Sequence, residues 1–405
     1  MQQHKPIPGI PNNRVTRFLS GILDFLNRKE SFYYLISLVV FIRIMFLGFW
    51  PTRTTADSFV YIAQAEAILN GAPFPVFPNG YPLLISGILT ITGKTHLYFA
   101  LLVINLLVQL FTGVILYKTG HLLFRSSEDE TSEMSAHKFA ILSLFVFVFY
   151  PTQVLFTSYV LTESVTTFLL TTSVYLLLKR NYTYAGMLLA LAAQLRTVYL
   201  PAIFLTAIVV FVIQRRHFLR YVSGAALISA LFFGLDLIKI TAFPINQSYN
   251  LLIAINGYSP KVNHNLSNFA PEAFISPLTT YMTFALEHPA EFLLQRISAL
   301  YELWGPYSFE PNNRLLRILF GVRFLLFDSW IYMAYLILVK KWIIKGGMQL
   351  CFFSYISALA VTITVIHTIY FSGYRFIVPL EPLMILLAVS AARTWYHRRT
   401  LSPAP

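Results

Sequence analysis

The sequence predicts an all-α, polytopic membrane protein, and three observations carry that reading. Hydrophobic residues make up 57% of the chain and charged residues 12%, with a mean hydropathy of +0.64, far from the composition of a soluble domain. Apolar stretches of roughly 20 residues, the length that crosses the hydrocarbon of a bilayer, recur from Phe32 to Ala392 with short polar breaks. Basic residues collect in alternate breaks, as in Arg215, Arg216 and Arg220, then Lys340, Lys341 and Lys345, then Arg393, Arg398 and Arg399.

Taken in order, spans are expected at 32–50, 96–124, 139–150, 160–178, 185–195, 199–213, 221–242, 316–339, 349–371 and 374–392. About ten crossings put both termini on one side, and the basic bias makes that side the cytoplasm. Residues 1–31 then form a cytoplasmic segment, 32–392 a single transmembrane domain and 393–405 a cytoplasmic tail. The first 31 residues are polar and basic and lack the pattern of a cleaved leader, so the first apolar run reads as a retained helix. The net charge of +13 is mostly a topology signal, and nucleic acid is not an expected partner. The single cysteine, Cys351, lies in an apolar run, which excludes a disulfide framework or a thiolate metal cluster within the chain.

Two outer segments, about 51–95 and 243–315, are the candidate working surfaces. In the first, a helix from Asp57 to Asn70 places Asp57, Tyr61, Gln64 and Ile68 on one face and is expected to lie along the membrane surface. Thr54 and Asp57 have the spacing of a capping box, so Asp57 either caps this helix or faces a site. Gly71, Pro73, Pro75, Pro78 and Gly80 then interrupt regular structure, and the apolar piece 81–92 is short enough to be a re-entrant or surface helix. A full crossing there would invert every later segment. The second outer segment carries Asn246, Asn256, Tyr258, Asn263, Asn265, Trp304, Tyr307, Asn312 and Asn313, a composition that suits sugar contact and that ordinary loops share. Residues 185–195 and 199–213 are too short to cross at full width. With Arg196 and Pro201 at their junction they read as a hairpin bordering a cavity, or as a tilted pair with a proline kink.

Charges in or beside membrane helices are expensive and have a partner or a task. Asp236 and Lys239, on one helix face, pair with each other; Arg323 and Asp328 are less clearly paired. Glu163 opens a helix after "YPTQVLFTSYVLTES", as a cap or as a cavity acid. Arg196, and Arg375 in "FSGYRFIVPLEP", fall at the same boundary with no carboxylate adjacent in sequence. Two unpaired arginines at one depth point to an anion, phosphate first, with snorkelling to lipid headgroups as the alternative. A carboxylate that removes an acceptor proton, beside arginines that stabilise a departing phosphate, is the chemistry of glycosyl transfer. Tyr61, Tyr374 and His367 join the candidate site as substrate contacts. No Gly-rich phosphate loop, His-Glu metal pattern or serine elbow is present in the sequence.

These residues give the chain a family likeness. Asp57 with "YIAQAEAILNG", then "GYPLL", "YPTQVLFTSYVLTES", "GMLLALAAQLRTVYLP" and "GYRFIVPLEPLMILLA" follow one another between Thr52 and Ala392. In this order the chain resembles the C-type (GT-C superfamily) integral-membrane glycosyltransferases, in the group of protein O-mannosyltransferases and lipid A aminoarabinose transferases. The resemblance implies a polyprenyl-phosphate-linked sugar donor and an active site on the non-cytoplasmic face, in a bacterial inner membrane. It implies Asp57 as the acid-base residue and Glu163 as a second cavity carboxylate, with Arg375 and Arg196 at the donor phosphate. The enzyme would be a hexosyl- or pentosyltransferase serving a lipid, glycan or protein acceptor. Some distant relatives use a divalent cation held by an acidic pair. Asp57-Ser58-Phe59 offers one acid, so no cofactor is expected and a metal is not favoured. A soluble C-terminal domain is not expected either. The rivals are a lipid-linked glycan flippase or other transporter, and an O-antigen polymerase or ligase. The sequence shows no pair of matching interrupted halves, and the early Asp57 loop favours the transferase.

Overall fold

The computed structural model describes residues 25, 28–50, 52–71, 78–125, 130–234, 277–305, 314–329, 347–369 and 374–401. Among these the protein is helical, with one isolated parallel bridge between Arg53 and Tyr159 and no strand. The all-α expectation holds. Among the described residues, four helical stretches are long and apolar enough to cross a membrane: Ser31–Phe49, Gly80–Phe124, Thr197–Gly234 and Met348–Ile369. A bent pair, Ser135–Val148 with Pro151–Ser158, makes a fifth if it counts as one span. The difference from about ten has a physical basis: Glu163–Leu178 and Tyr182–Leu195 are apolar but short and pack inside the bundle, and the expected span 316–339 lies largely outside the described residues. The Asp236–Lys239 pair and most of the second outer segment are outside them too.

Helix α1 (Ser31–Phe49) leads to the juxtamembrane helix α2 (Ala56–Leu69), and α3 (Gly80–Phe124) follows. Near its start α3 is broken at Gly93, whose φ of 67° lies in the left-handed region that glycine adopts without steric cost. The piece before the break, roughly 20 Å long at 1.5 Å per residue, is tied to α2 at both ends: Gln64 donates to Asn79, and Lys94 pairs with Glu66 at 2.8 Å. Residues 81–92 therefore run beside α2.

α4 (Glu130–Val148) stops before Pro151, because proline drives the preceding residue out of helical geometry; Tyr150 is extended at φ −69°, ψ 113°. The chain bends by 56° into α5 (Pro151–Leu155) and a 3-10 turn, Phe156–Ser158. It then runs extended to α6 (Glu163–Leu178). Residues 152–164 of this stretch are buried, so their irregular backbone needs partners inside the protein. Asn105 of α3 donates to the carbonyls of Thr157 (3.3 Å) and Tyr159 (3.0 Å), Ser58 of α2 to that of Val160 (2.8 Å), and Arg53 exchanges two backbone bonds with Ser158 and Val160. The first outer segment is thus stitched onto this buried loop.

α7 (Tyr182–Leu195) ends at an extended Arg196, and α8 (Leu200–Gln214) restarts the chain with a proline in its first turn. The break falls at the junction expected between 185–195 and 199–213. α9 (Phe218–Gly234) crosses α7 at glycine contact: a Cβ on Gly186 would lie 2.2 Å from the Tyr221 carbonyl oxygen, and one on Gly224 1.9 Å from that of Thr183. Two amphipathic helices, α10 (Pro277–Glu287) and α11 (Pro289–Trp304), expose Leu278, Met282, Leu286, Leu293, Leu294 and Ile297 on one side. α12 (Arg314–Arg323), α13 (Gly347–Ile369) and α14 (Glu381–Leu401) complete the described elements. The opposite side of α11 caps α13, with Arg296 donating to the carbonyls of Thr368 (2.9 Å) and Ile369 (2.8 Å). Trp304, read from sequence as a sugar contact, donates to Thr364 at 3.1 Å and belongs to this packing. The core lies among α3, α4, α6, α7, α13 and α14, where Leu116, Leu144, Leu170, Leu189, Ile363 and Leu386 are buried.

The Arg323–Asp328 spacing, ambiguous in sequence, resolves as an ion pair. Phe324–Asp328 is a π-helical turn, whose i→i+5 register suits that separation. Nε of Arg323 lies 2.8 Å from Asp328 Oδ2, and the Tyr150 hydroxyl donates to Oδ1 at 2.6 Å.

Candidate active site

The capping question at Asp57 is settled by a shift of one residue. The capping box is formed by Thr55 and Ser58, not by Thr54 and Asp57: the Thr55 amide donates to Ser58 Oγ at 2.9 Å, and the Ser58 amide donates back to Thr55 Oγ1 at 3.4 Å. Asp57 is left in the first turn of α2 with its carboxylate directed elsewhere. It meets Arg375, whose Nη2 donates to Asp57 Oδ2 at 2.6 Å. Arg375 belongs to the 3-10 turn Tyr374–Phe376 that leads towards α14.

A second pair lies behind the first. Nη2 of Arg196 sits 3.2 Å from Glu163 Oε1, an ion-pair distance without hydrogen-bond alignment. The expectation of two unpaired arginines is therefore corrected: each has a carboxylate, supplied by a distant part of the chain that sequence adjacency does not reveal. Exposure separates the pairs. Asp57 and Arg375 side chains are 26% and 21% exposed, those of Glu163 and Arg196 1% and 10%, so only the first pair meets solvent appreciably.

Phe376 joins them. Its ring lies 4.8 Å from the Arg196 guanidinium carbon and 5.1 Å from that of Arg375, and His367 stacks on it at 4.0 Å. His367 thus reaches the site through Phe376. Sequence reasoning missed Phe376, although the quoted "GYRF" contains it; an aromatic directly after a boundary arginine is the signal that could have found it. Tyr61 is buried edge-on against Tyr81 at 5.1 Å. Burial raises its phenol pKa, Arg196 opposes that, and Asp57 and Glu163 add to it, which places Tyr61 in the field of both pairs. Burial disfavours the Arg375 charge, but Asp57, then Glu163 and Tyr61, outweigh it and hold its pKa above the ordinary value. Tyr374 opens the turn that carries Arg375; its side chain is outside the described residues.

Among the described residues, the hydroxyls of Tyr81 and Tyr199, both oxygens of Glu163 and Nη1 of Arg196 are buried without a hydrogen-bond partner. A Cβ on Gly80 would lie 2.5 Å from the Gln194 carbonyl oxygen, so the glycine of "GYPLL" lets this wall close on the end of α7 that carries Arg196. No group of three His, Cys, Asp or Glu side chains that could hold a metal ion occurs among the described residues.

No family model matches the sequence, and no curated protein does. One solved structure is similar: an Archaeoglobus fulgidus oligosaccharyltransferase, tethered by a disulfide to an acceptor peptide containing the NVT sequon. The likeness has a TM-score of 0.52 at 14% sequence identity, covering 92% of this chain and 50% of that one. The chain shares the helical membrane fold of that structure. It spans half the length of that neighbour, and at this identity the likeness concerns the fold. This chain pairs both candidate carboxylates with arginines.

Proposed function

We propose that the protein is a membrane glycosyltransferase that moves a sugar from a polyprenyl-phosphate donor to a lipid, glycan or protein acceptor on the non-cytoplasmic face. The observation that carries this is the 2.6 Å pair of Asp57 and Arg375, a base and a phosphate-binding group in contact at a partly exposed site. Arg375 engages Asp57 through one nitrogen, which leaves the rest of its planar fork for a phosphate. Asp57 takes the proton of the acceptor hydroxyl or amine as that atom bonds to the anomeric carbon. The bond from that carbon to the phosphate oxygen breaks, and its electron pair leaves with the phosphate, where Arg375 and Arg196 stabilise the charge. Glu163, buried, acts by holding Arg196; the unpartnered Tyr81 and Tyr199 hydroxyls suit a polar substrate. The similar structure is named as an oligosaccharyltransferase with an acceptor peptide, which supports the reaction class.

The reaction is proposed to run without a divalent metal. A guanidinium already lies 2.6 or 3.2 Å from each carboxylate and supplies the positive charge there. The test is release of free polyprenyl phosphate from a polyprenyl-phosphate hexose by purified protein, with and without EDTA. Release insensitive to chelation is expected. Movement of intact donor across the membrane with no release would mark a transporter, and loss of release in EDTA would refute metal independence alone.

A further inference from the structure

We propose that Gln153 is a positioning residue for Arg375, set in place by a one-way hydrogen-bond chain that starts at Arg43; the inference rests on the phosphate role of Arg375. Arg43 of α1, Gln109 of α3, Gln153 of α5 and Glu381 of α14 are all fully buried. Nη2 of Arg43 donates to Gln109 Oε1 at 3.2 Å, and Gln109 Nε2 donates to Gln153 Oε1 at 3.2 Å. Gln153 Nε2 then donates to Glu381 Oε2 at 2.7 Å and to the Val378 carbonyl at 2.8 Å.

The two ends give this chain its direction. The Arg43 guanidinium only donates and the Val378 backbone carbonyl only accepts, so each amide has one workable orientation; reversing either would oppose donor to donor. The far end holds the segment that bears Arg375. Between Tyr374 and α14 the backbone forms two 3-10 turns, with Leu380 bonded to Ile377 at 2.7 Å, and such short turns fix little by themselves. Gln153 grips this segment at Val378 and at Glu381, and Thr152 donates to the other carboxylate oxygen of Glu381. Arg43 also lies over the Phe147 ring at 5.1 Å, which fixes the near end against α4. The amides of α3 and α5 therefore link a charge in the first helix to the placement of Arg375.

The experiment measures binding of a synthetic decaprenyl monophosphate to purified protein in nanodiscs, for Gln153→Met, Arg375→Lys and the double variant. Methionine keeps the volume of glutamine and removes its hydrogen bonds. Gln153→Met is expected to weaken binding about tenfold in the parent and less than about twofold in the Arg375→Lys background, because misplacement matters only while the guanidinium fork is present. The same factor in both backgrounds would show a general structural defect and overturn the inference while leaving the phosphate role of Arg375 standing. Unchanged binding in Arg375→Lys would overturn that role and the inference together. If Gln153→Met does not fold, Gln109→Met, one link back, carries the same expectation.

Discussion

Asp57 occupies a first-turn position whose capping work is done by its neighbours, so its two candidate roles can be separated by mutation. Asp57→Asn keeps the shape and leaves the Thr55–Ser58 box intact but cannot accept a proton; transfer is expected to fall about a hundredfold or more, with a melting temperature in detergent close to the parent's. Thr55→Val should do the reverse, costing about 1 kcal/mol of stability as a lost cap while transfer per folded molecule stays near normal. Near-normal transfer in Asp57→Asn would end the catalytic reading. Glu302 gives a pH-dependent counterpart in α11. Burial pushes its carboxyl up to about 7, against the opposing pull of Arg296. A raised folded pKa means that the stability it confers is complete below the ordinary carboxylate range and is lost as pH rises through about 7. Glu302→Gln should therefore raise the melting temperature at pH 8 and leave it unchanged at pH 4, as thermal melts across that range would show.

The elements that build the site are those where regular structure fails: the loop after α5, the extended Arg196 and the paired 3-10 turns before α14. Pro201 made one of these breaks readable in the sequence, because proline acts on its immediate neighbours. The Arg323–Asp328 pair was not readable, since its partners meet only in a π-helical turn that no local pattern announced. Helix contact at glycine is equally selective. Gly224→Ala must push α9 away from the Thr183 carbonyl, and a loss of roughly 1–3 kcal/mol is expected from that overpacking. Gly87→Ala, which meets nothing within 4 Å and lies inside a helix, should not lower the melting temperature and should raise it slightly through better helix propensity. Equal effects from the two would remove the close α7–α9 crossing as a source of stability.

For the whole molecule, composition and span length were enough to read an all-α membrane protein, because the bilayer restricts a chain of this hydropathy so severely. The members of the candidate site stood out in the sequence too, because a charge at a membrane boundary is costly. Their partnerships did not. Asp57 and Arg375 are 318 positions apart, and nothing around either residue names the other. The buried run from Arg43 to Glu381 stayed hidden for the same reason, since glutamines inside apolar stretches carry no periodic signature and become a chain only when four helices converge.

That separation also orders events during synthesis. Glu163 and Arg196 emerge close together, so their charges can offset one another as soon as the middle of the chain has inserted. Asp57 leaves the ribosome 318 residues ahead of its counter-charge. Until then an acid near the membrane boundary has no guanidinium beside it, and a nascent chain halted before residue 375 holds half of its site in an unneutralised state. Synthesis of the segment that carries Arg375 is thus the step that supplies the missing charge of this pair.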